Sequence, residues 1–106
     1  MPRKSDIIRL RHMLDAADKA KAFTEGKARE DLDRDEKLAL ALVRLIEVVG
    51  EAAAKVSSDF QAQYGRSPWK DIIGTRNRLI HGYEEVDYDI VWKIVEKDLP
   101  ILAREL

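Results

Sequence analysis

The chain has 106 residues, 45% hydrophobic and 37% charged, with five Gly, three Pro and no Cys, which is enough to bury one core, too apolar for a disordered chain, and without the thiols that disulfides or thiolate chemistry require. Its 19 Lys and Arg against 20 Asp and Glu leave a net charge of −1, so no overall field draws it to a polyanion, and any nucleic-acid binding must come from a local patch. The two His, His12 and His81, stand far apart and outside any ligand cluster, which argues against a metal site.

The N-terminal stretch Met1-Pro2-Arg3-Lys4-Ser5-Asp6 has no apolar run of the kind a secretory signal needs. The longest apolar run, Leu38 to Val43, is too short for a bilayer, so a cytoplasmic protein without membrane association is expected. Ser5 is a candidate cap for a first helix from about Asp6 to Phe23, with Ile7, Leu10, Leu14 and Ala17 on one face and Gly26 as the stop. Lys27 to Arg34 reads as a polar connection. Asp33 with Glu36 resembles a capping box and opens a second helix to about Val56, with the stripe Leu38, Leu42, Leu45, Val49, Ala52 and Val56.

Gly65 and Ser67-Pro68 predict a loop, a cap and a first-turn proline, so a third helix should start near Pro68 and end before Gly82. Tyr83 to Asp87 reads as an acidic turn. A fourth helix is expected from about Tyr88 to Leu99 with Ile90, Val91, Ile94 and Val95 apolar, and Pro100 should break or kink it before a short C-terminal piece. Trp69 and Trp92 are expected as core anchors. The pattern predicts an all-α fold, a four-helix up-and-down bundle with a short C-terminal helical extension, in one domain over residues 1–106.

The third helix carries an anomaly. At about 100° per residue, Trp69, Ile72, Ile73 and Ile80 share one side, and Arg76 falls in the middle of it. A guanidinium stays protonated, so on an apolar face it needs an acidic partner or a wet cleft. The first reading is a buried ion pair with Glu47 or Glu51 of the second helix; the second is an anionic substrate. Asn77 and His81, four apart, stack on the flank of the stripe, whereas Arg78 points away as a solvated charge. His81 beside Gly82 fits a helix C-terminal charge, or a proton-transfer group near neutral pH. An Arg for two-point phosphate binding, an Asn to orient and a His at the helix end are the parts for cleaving a phosphodiester without metal. Tyr83 is either a packing aromatic with a wet tip or a hydroxyl facing the same cleft. The acidic residues Glu84, Glu85, Asp87 and Asp89 read as a solvated turn and helix N-terminus.

Arg76-Asn77, three further residues, then His81-Gly82-Tyr83 resembles the Arg-x4-His-x-Tyr motif of HepT-like toxins in the HEPN superfamily. The likeness extends to Phe23-Thr24-Glu25-Gly26, Gly50-Glu51-Ala52, Pro68-Trp69 before Ile72-Ile73, Val91-Trp92 and Asp98-Leu99-Pro100. The resemblance implies a HEPN-type bundle, a homodimer whose two motifs face a shared cleft, and metal-independent, cofactor-free RNA cleavage with Arg76, Asn77 and His81 as the catalytic set. It also implies a neighbouring MntA-like nucleotidyltransferase antitoxin that transfers adenylate to Tyr83. The same resemblance admits a second function, a non-catalytic binding module that serves as that enzyme's partner and target. On a continuous helix Arg76 and His81 lie about 140° apart, so they share a face only if the helix ends near His81 or a second subunit completes the site.

Overall fold

The computed structural model describes residues 3–65, 69–74, 79–81 and 85–106, with 80, 81 and 85 described through their backbone. The chain is all-α, as expected. In order it forms α1 (Lys4–Thr24), α2 (Asp31–Arg34), α3 (Glu36–Ala54), α4 (Ser58–Gln63), α5 (Trp69–Ile73), a two-residue ladder β1 (Ile80–His81) and β2 (Glu85–Val86), α6 (Tyr88–Lys93), a π turn (Ile94–Asp98) and α7 (Leu99–Glu105).

The first helix starts earlier than Ser5 would set it: Arg3 is the extended residue before it, with no side-chain cap. Gly26 does end it, at φ +72, a backbone conformation that costs a residue with a Cβ and costs glycine little. The buried face of α1 is Met13, Ala16, Ala17 and Ala20. Of the face expected from periodicity only Ala17 is buried, while Leu10 and Leu14 are half-buried and Ile7 is exposed. The reason is size: a small-residue stripe lets α1 lie close along α3, the partner against which it packs most extensively.

Between these helices the expected polar connection contains a turn of its own. Leu32 is buried, and the Ala28 N–H donates to the Asp31 carboxylate at 2.7 Å, so residues Asp31–Arg34 close into α2. That turn moves the cap of α3 from Asp33 to Asp35, whose carboxylate accepts from the Leu38 N–H at 3.1 Å. Along α3, Leu38, Leu42, Val49 and Ala52 are buried as expected, whereas Leu45 is half-buried and Ala39, Ile46 and Ala53 complete the core face.

The helix α4 has no counterpart in the expected set. Its start is nevertheless local chemistry: the Ser57 hydroxyl accepts from the Phe60 N–H at 3.3 Å, a capping bond. Ser57 also anchors the far end of α1. Its N–H and hydroxyl donate to the Asp6 carboxylate at 2.9 Å and 2.6 Å, and Asp6 is only 2% exposed. A buried carboxylate is tolerable with such donors, and they hold its pKa below the ordinary carboxylate value, the Ser57 hydroxyl most of all. Phe60 stacks on Tyr64 at 4.6 Å and meets Trp69 edge-on at 6.4 Å, and the Trp69 indole N–H donates to the Tyr64 carbonyl at 3.0 Å. Trp69 is therefore the expected core anchor, with its polar edge satisfied. Ile72 is buried, but Ile73 is exposed, because its direction lies beyond the strip of α5 that faces α3.

The expected continuous third helix does not reach Gly82. Its described parts are α5 and a helical, buried Leu79, after which Ile80 and His81 are extended. The cause is pairing: Ile80 opposes Val86 and His81 opposes Glu85 in an antiparallel register, and the Asp87 N–H donates to the Leu79 carbonyl at 2.7 Å. Asp87 then caps α6, accepting from Asp89 and Ile90 N–H groups. Val91, Ile94 and Val95 are buried; Ile90 and Trp92 are half-buried, so Trp92 covers the core rather than filling it. Pro100 produces a π turn ahead of α7. A proline ring clashes with the carbonyl four residues back, and a wider turn over Ile94–Asp98 relieves that clash without ending the helix. The core runs without a break from Met13 to Leu102. Among the described residues no helix is long and apolar enough to cross a membrane.

Candidate active site

Arg76 and Asn77 lie outside the described residues, as do Gly82 and Tyr83, and His81 is described through its backbone. The frame that carries them is well defined. On the upstream side α5 is fastened by Trp69 and Ile72, both buried, and Gly74 N–H donates to the Lys70 carbonyl at 3.0 Å. On the downstream side Leu79 is 1% exposed. Ile72 and Leu79 are both buried, so the chain enters and leaves the segment that carries Arg76 and Asn77 from anchored positions in the core.

His81 follows at once, in the ladder against Glu85. Its backbone is thereby tied to Asp87 and the start of α6, and the reading of His81 as a C-terminal helix charge is corrected: it sits on a strand. The angle of about 140° between Arg76 and His81 presumes helix through residue 81. With Ile80 and His81 extended, that separation no longer constrains the pair.

A second tie secures the same corner. The Arg29 guanidinium donates to Asp89 at 2.6 Å and to Asp33 at 3.1 Å and lies 5.9 Å from the centre of the Tyr88 ring. The Asp89 carboxylate, with Asp33, raises the Arg29 pKa and keeps the guanidinium charged. The i,i+4 pair Arg29 and Asp33 is visible in the sequence. The contact with Asp89, sixty residues away, has no local sequence signal. Through it the α1–α3 connection is held to the first turn of α6, directly after the ladder.

The two acidic candidates differ in setting. Glu47 is half-buried on α3. Glu51 is exposed and pairs with Lys55 at 3.8 Å, and the ion pair of either with Arg76 lies outside the described residues. Among the described residues no group of three His, Asp or Glu could hold a metal ion.

Residues 13–106 match the family model described as Ribonuclease HepT-like. A Methanocaldococcus jannaschii protein carrying the provisional name of an RNase is 33% identical over 94 residues, covering 89% of this chain and 86% of its own length. A similarly named protein of Caldanaerobacter subterraneus subsp. tengcongensis is 34% identical over 97 residues, 92% of this chain and 87% of its own. A Thermococcus cleftensis protein named probable ribonuclease HepT is 33% identical over 93 residues, 88% of this chain and 84% of its own. No solved structure matches.

Proposed function

The chain belongs to the HepT-like ribonuclease family of the HEPN superfamily, and from that membership we propose that it is a metal-independent endoribonuclease, the toxin of a toxin–antitoxin pair, acting as one HEPN domain over its whole length. The observation that carries the reading is a family match over residues 13–106, a span that includes Arg76-Asn77-Arg78-Leu79-Ile80-His81-Gly82-Tyr83.

In this reading the His81 imidazole takes the proton of a ribose 2′-hydroxyl, and the oxygen attacks the adjacent phosphorus. The bond from phosphorus to the 5′-oxygen breaks, the imidazolium returns its proton to that oxygen, and the products are a 2′,3′-cyclic phosphate and a 5′-hydroxyl end. Arg76 donates to the non-bridging oxygens as charge builds on them. Asn77 orients the phosphate or the imidazole. The site is completed by a second copy of the chain, so that two motifs face one cleft. Regulation falls to an MntA-like nucleotidyltransferase that transfers adenylate from ATP to the Tyr83 hydroxyl with release of pyrophosphate. A bulky anion then stands two residues from His81 and excludes RNA.

The test is incubation of the purified protein with RNA in EDTA. Cleavage that disappears in both Arg76→Ala and His81→Ala supports the assignment, and cleavage that persists in both removes it. Co-expression with a nucleotidyltransferase and mass analysis of the Tyr83 peptide tests the regulatory half. An unmodified peptide from an inactive complex would contradict it.

A further inference from the structure

With a net charge of −1, an RNA-binding chain needs a local excess of cations. A concave surface between the first and third helices carries such an excess, three cations against one carboxylate. A cavity of about 200 Å³ between α1 and α3 is lined by Arg9, His12, Arg44, Glu51 and Lys55 over a floor of Val48 and Ala52. Helical spacing brings these side chains together. Arg9 and His12 are three apart on α1, and Arg44, Val48, Glu51 and Lys55 follow at four, seven and eleven on one face of α3.

The charges do not cancel. Glu51 pairs with Lys55 at 3.8 Å, while among the described residues neither Arg9 nor Arg44 has an ion-pair partner. Two guanidiniums therefore line one small open cavity, with the His12 imidazole beside them as a further donor. Guanidinium forks favour phosphate over a point charge such as ammonium, and an apolar floor lowers the local dielectric beneath them. α3 also packs against α5, which leads into the segment bearing Arg76, so one helix supports both features.

We propose that this cavity is an anion site that holds a backbone phosphate of single-stranded RNA away from the scissile bond, with Arg9 and Arg44 as its binding residues and His12 as an auxiliary donor. The proposal rests on the ribonuclease reading of the chain. It supplies positioning and affinity without sequence discrimination, because phosphate contacts fix register and do not read bases.

The experiment measures fluorescence anisotropy of a labelled single-stranded RNA oligonucleotide with the full chain carrying His81→Ala, so that the probe is not consumed, across a salt series. Three proteins are compared: this parent, the parent with Arg9→Gln and Arg44→Gln, and the parent with Lys19→Gln and Lys37→Gln, two exposed cations outside the cavity. Glutamine keeps part of the aliphatic stem and a similar helix propensity, and equal melting temperatures verify the fold. The expected result is a loss of about tenfold or more in affinity for the Arg9/Arg44 variant, with a salt slope lower by about 1.4 for two lost contacts on a single strand, and near-parent binding for the Lys19/Lys37 variant. Equal loss in both variants, or no loss in either, overturns the site and leaves the ribonuclease reading standing. Absence of RNA binding by the parent overturns the site and removes its premise as well. Inorganic phosphate that competes only at its own bulk ionic-strength effect, with no excess on the parent over the Arg9/Arg44 variant, also counts against a built anion site.

Discussion

The pair α1 and α3 and the arm from Leu79 to Asp87 are held by different physics. The helices meet through a long stripe of buried side chains, Met13, Ala16, Ala17 and Ala20 against Leu38, Leu42, Ile46 and Val49, each large aliphatic contributing about 2 kcal/mol by burial. Among its described residues the arm has two ladder positions, one further backbone bond at 2.7 Å and one fully buried side chain, Leu79. Stability resides in the first region and placement of the proposed catalytic His in the second. A protein built this way can lose its chemistry without losing its fold, and the reverse is not available to it.

Arg76→Ala and His81→Ala should each lower RNA cleavage by about 100-fold or more while the melting temperature stays near that of the wild type; a collapse of stability in Arg76→Ala would instead mark a structural ion pair. Leu42→Ala or Ile46→Ala should cost about 2–5 kcal/mol in denaturant unfolding, and a cost below about 1 kcal/mol would contradict the burial of that stripe. Asp35→Ala, which removes the α3 cap, should cost about 1 kcal/mol. Arg29→Ala breaks two ion pairs whose carboxylates are well exposed, so its stability cost should stay below about 1 kcal/mol. A fall in cleavage rate larger than its fall in stability would show that the Arg29 tie positions the arm.

Asp6 gives the comparison a pH axis. Its pKa lies below the ordinary 3.8 because the Ser57 hydroxyl and N–H favour the carboxylate. The folded state therefore binds this proton less readily than the unfolded chain does. The resulting stability is fully present above the unfolded pKa and is lost as pH falls through the lower folded value. Urea midpoints measured from neutral pH down to pH 3 should drop less steeply in Asp6→Asn than in the wild type, and parallel curves would contradict the assignment.

Much of the bundle was legible because its causes are local. Gly26 ends α1, the apolar stripe of α3 reads at helical spacing, and Pro100 perturbs the last helix, although by a π turn. What escaped the sequence depends on partners far along the chain. The inward face of α1 is set by how closely Ala16, Ala17 and Ala20 let it approach α3, and hydrophobicity alone ranks Ile7 above them. The cap at Asp35 follows from the burial of Leu32, which no propensity announces. Ser57 carried a readable capping signal for α4, and its second role, receiving Asp6 across 51 residues, did not. At the site, the motif was legible as residue types, whereas the strand at Ile80–His81 was hidden because it exists only through pairing with Glu85–Val86.

The claim on which the account turns is the chemistry assigned to His81, and the nature of the RNA ends tests it most directly. Cleavage of a labelled RNA in EDTA should leave 2′,3′-cyclic phosphate and 5′-hydroxyl ends, with neither produced by His81→Ala. Ends bearing a 3′-hydroxyl and a 5′-phosphate, or activity restored only by added divalent metal, would contradict attack by the 2′-hydroxyl and with it the proposed function.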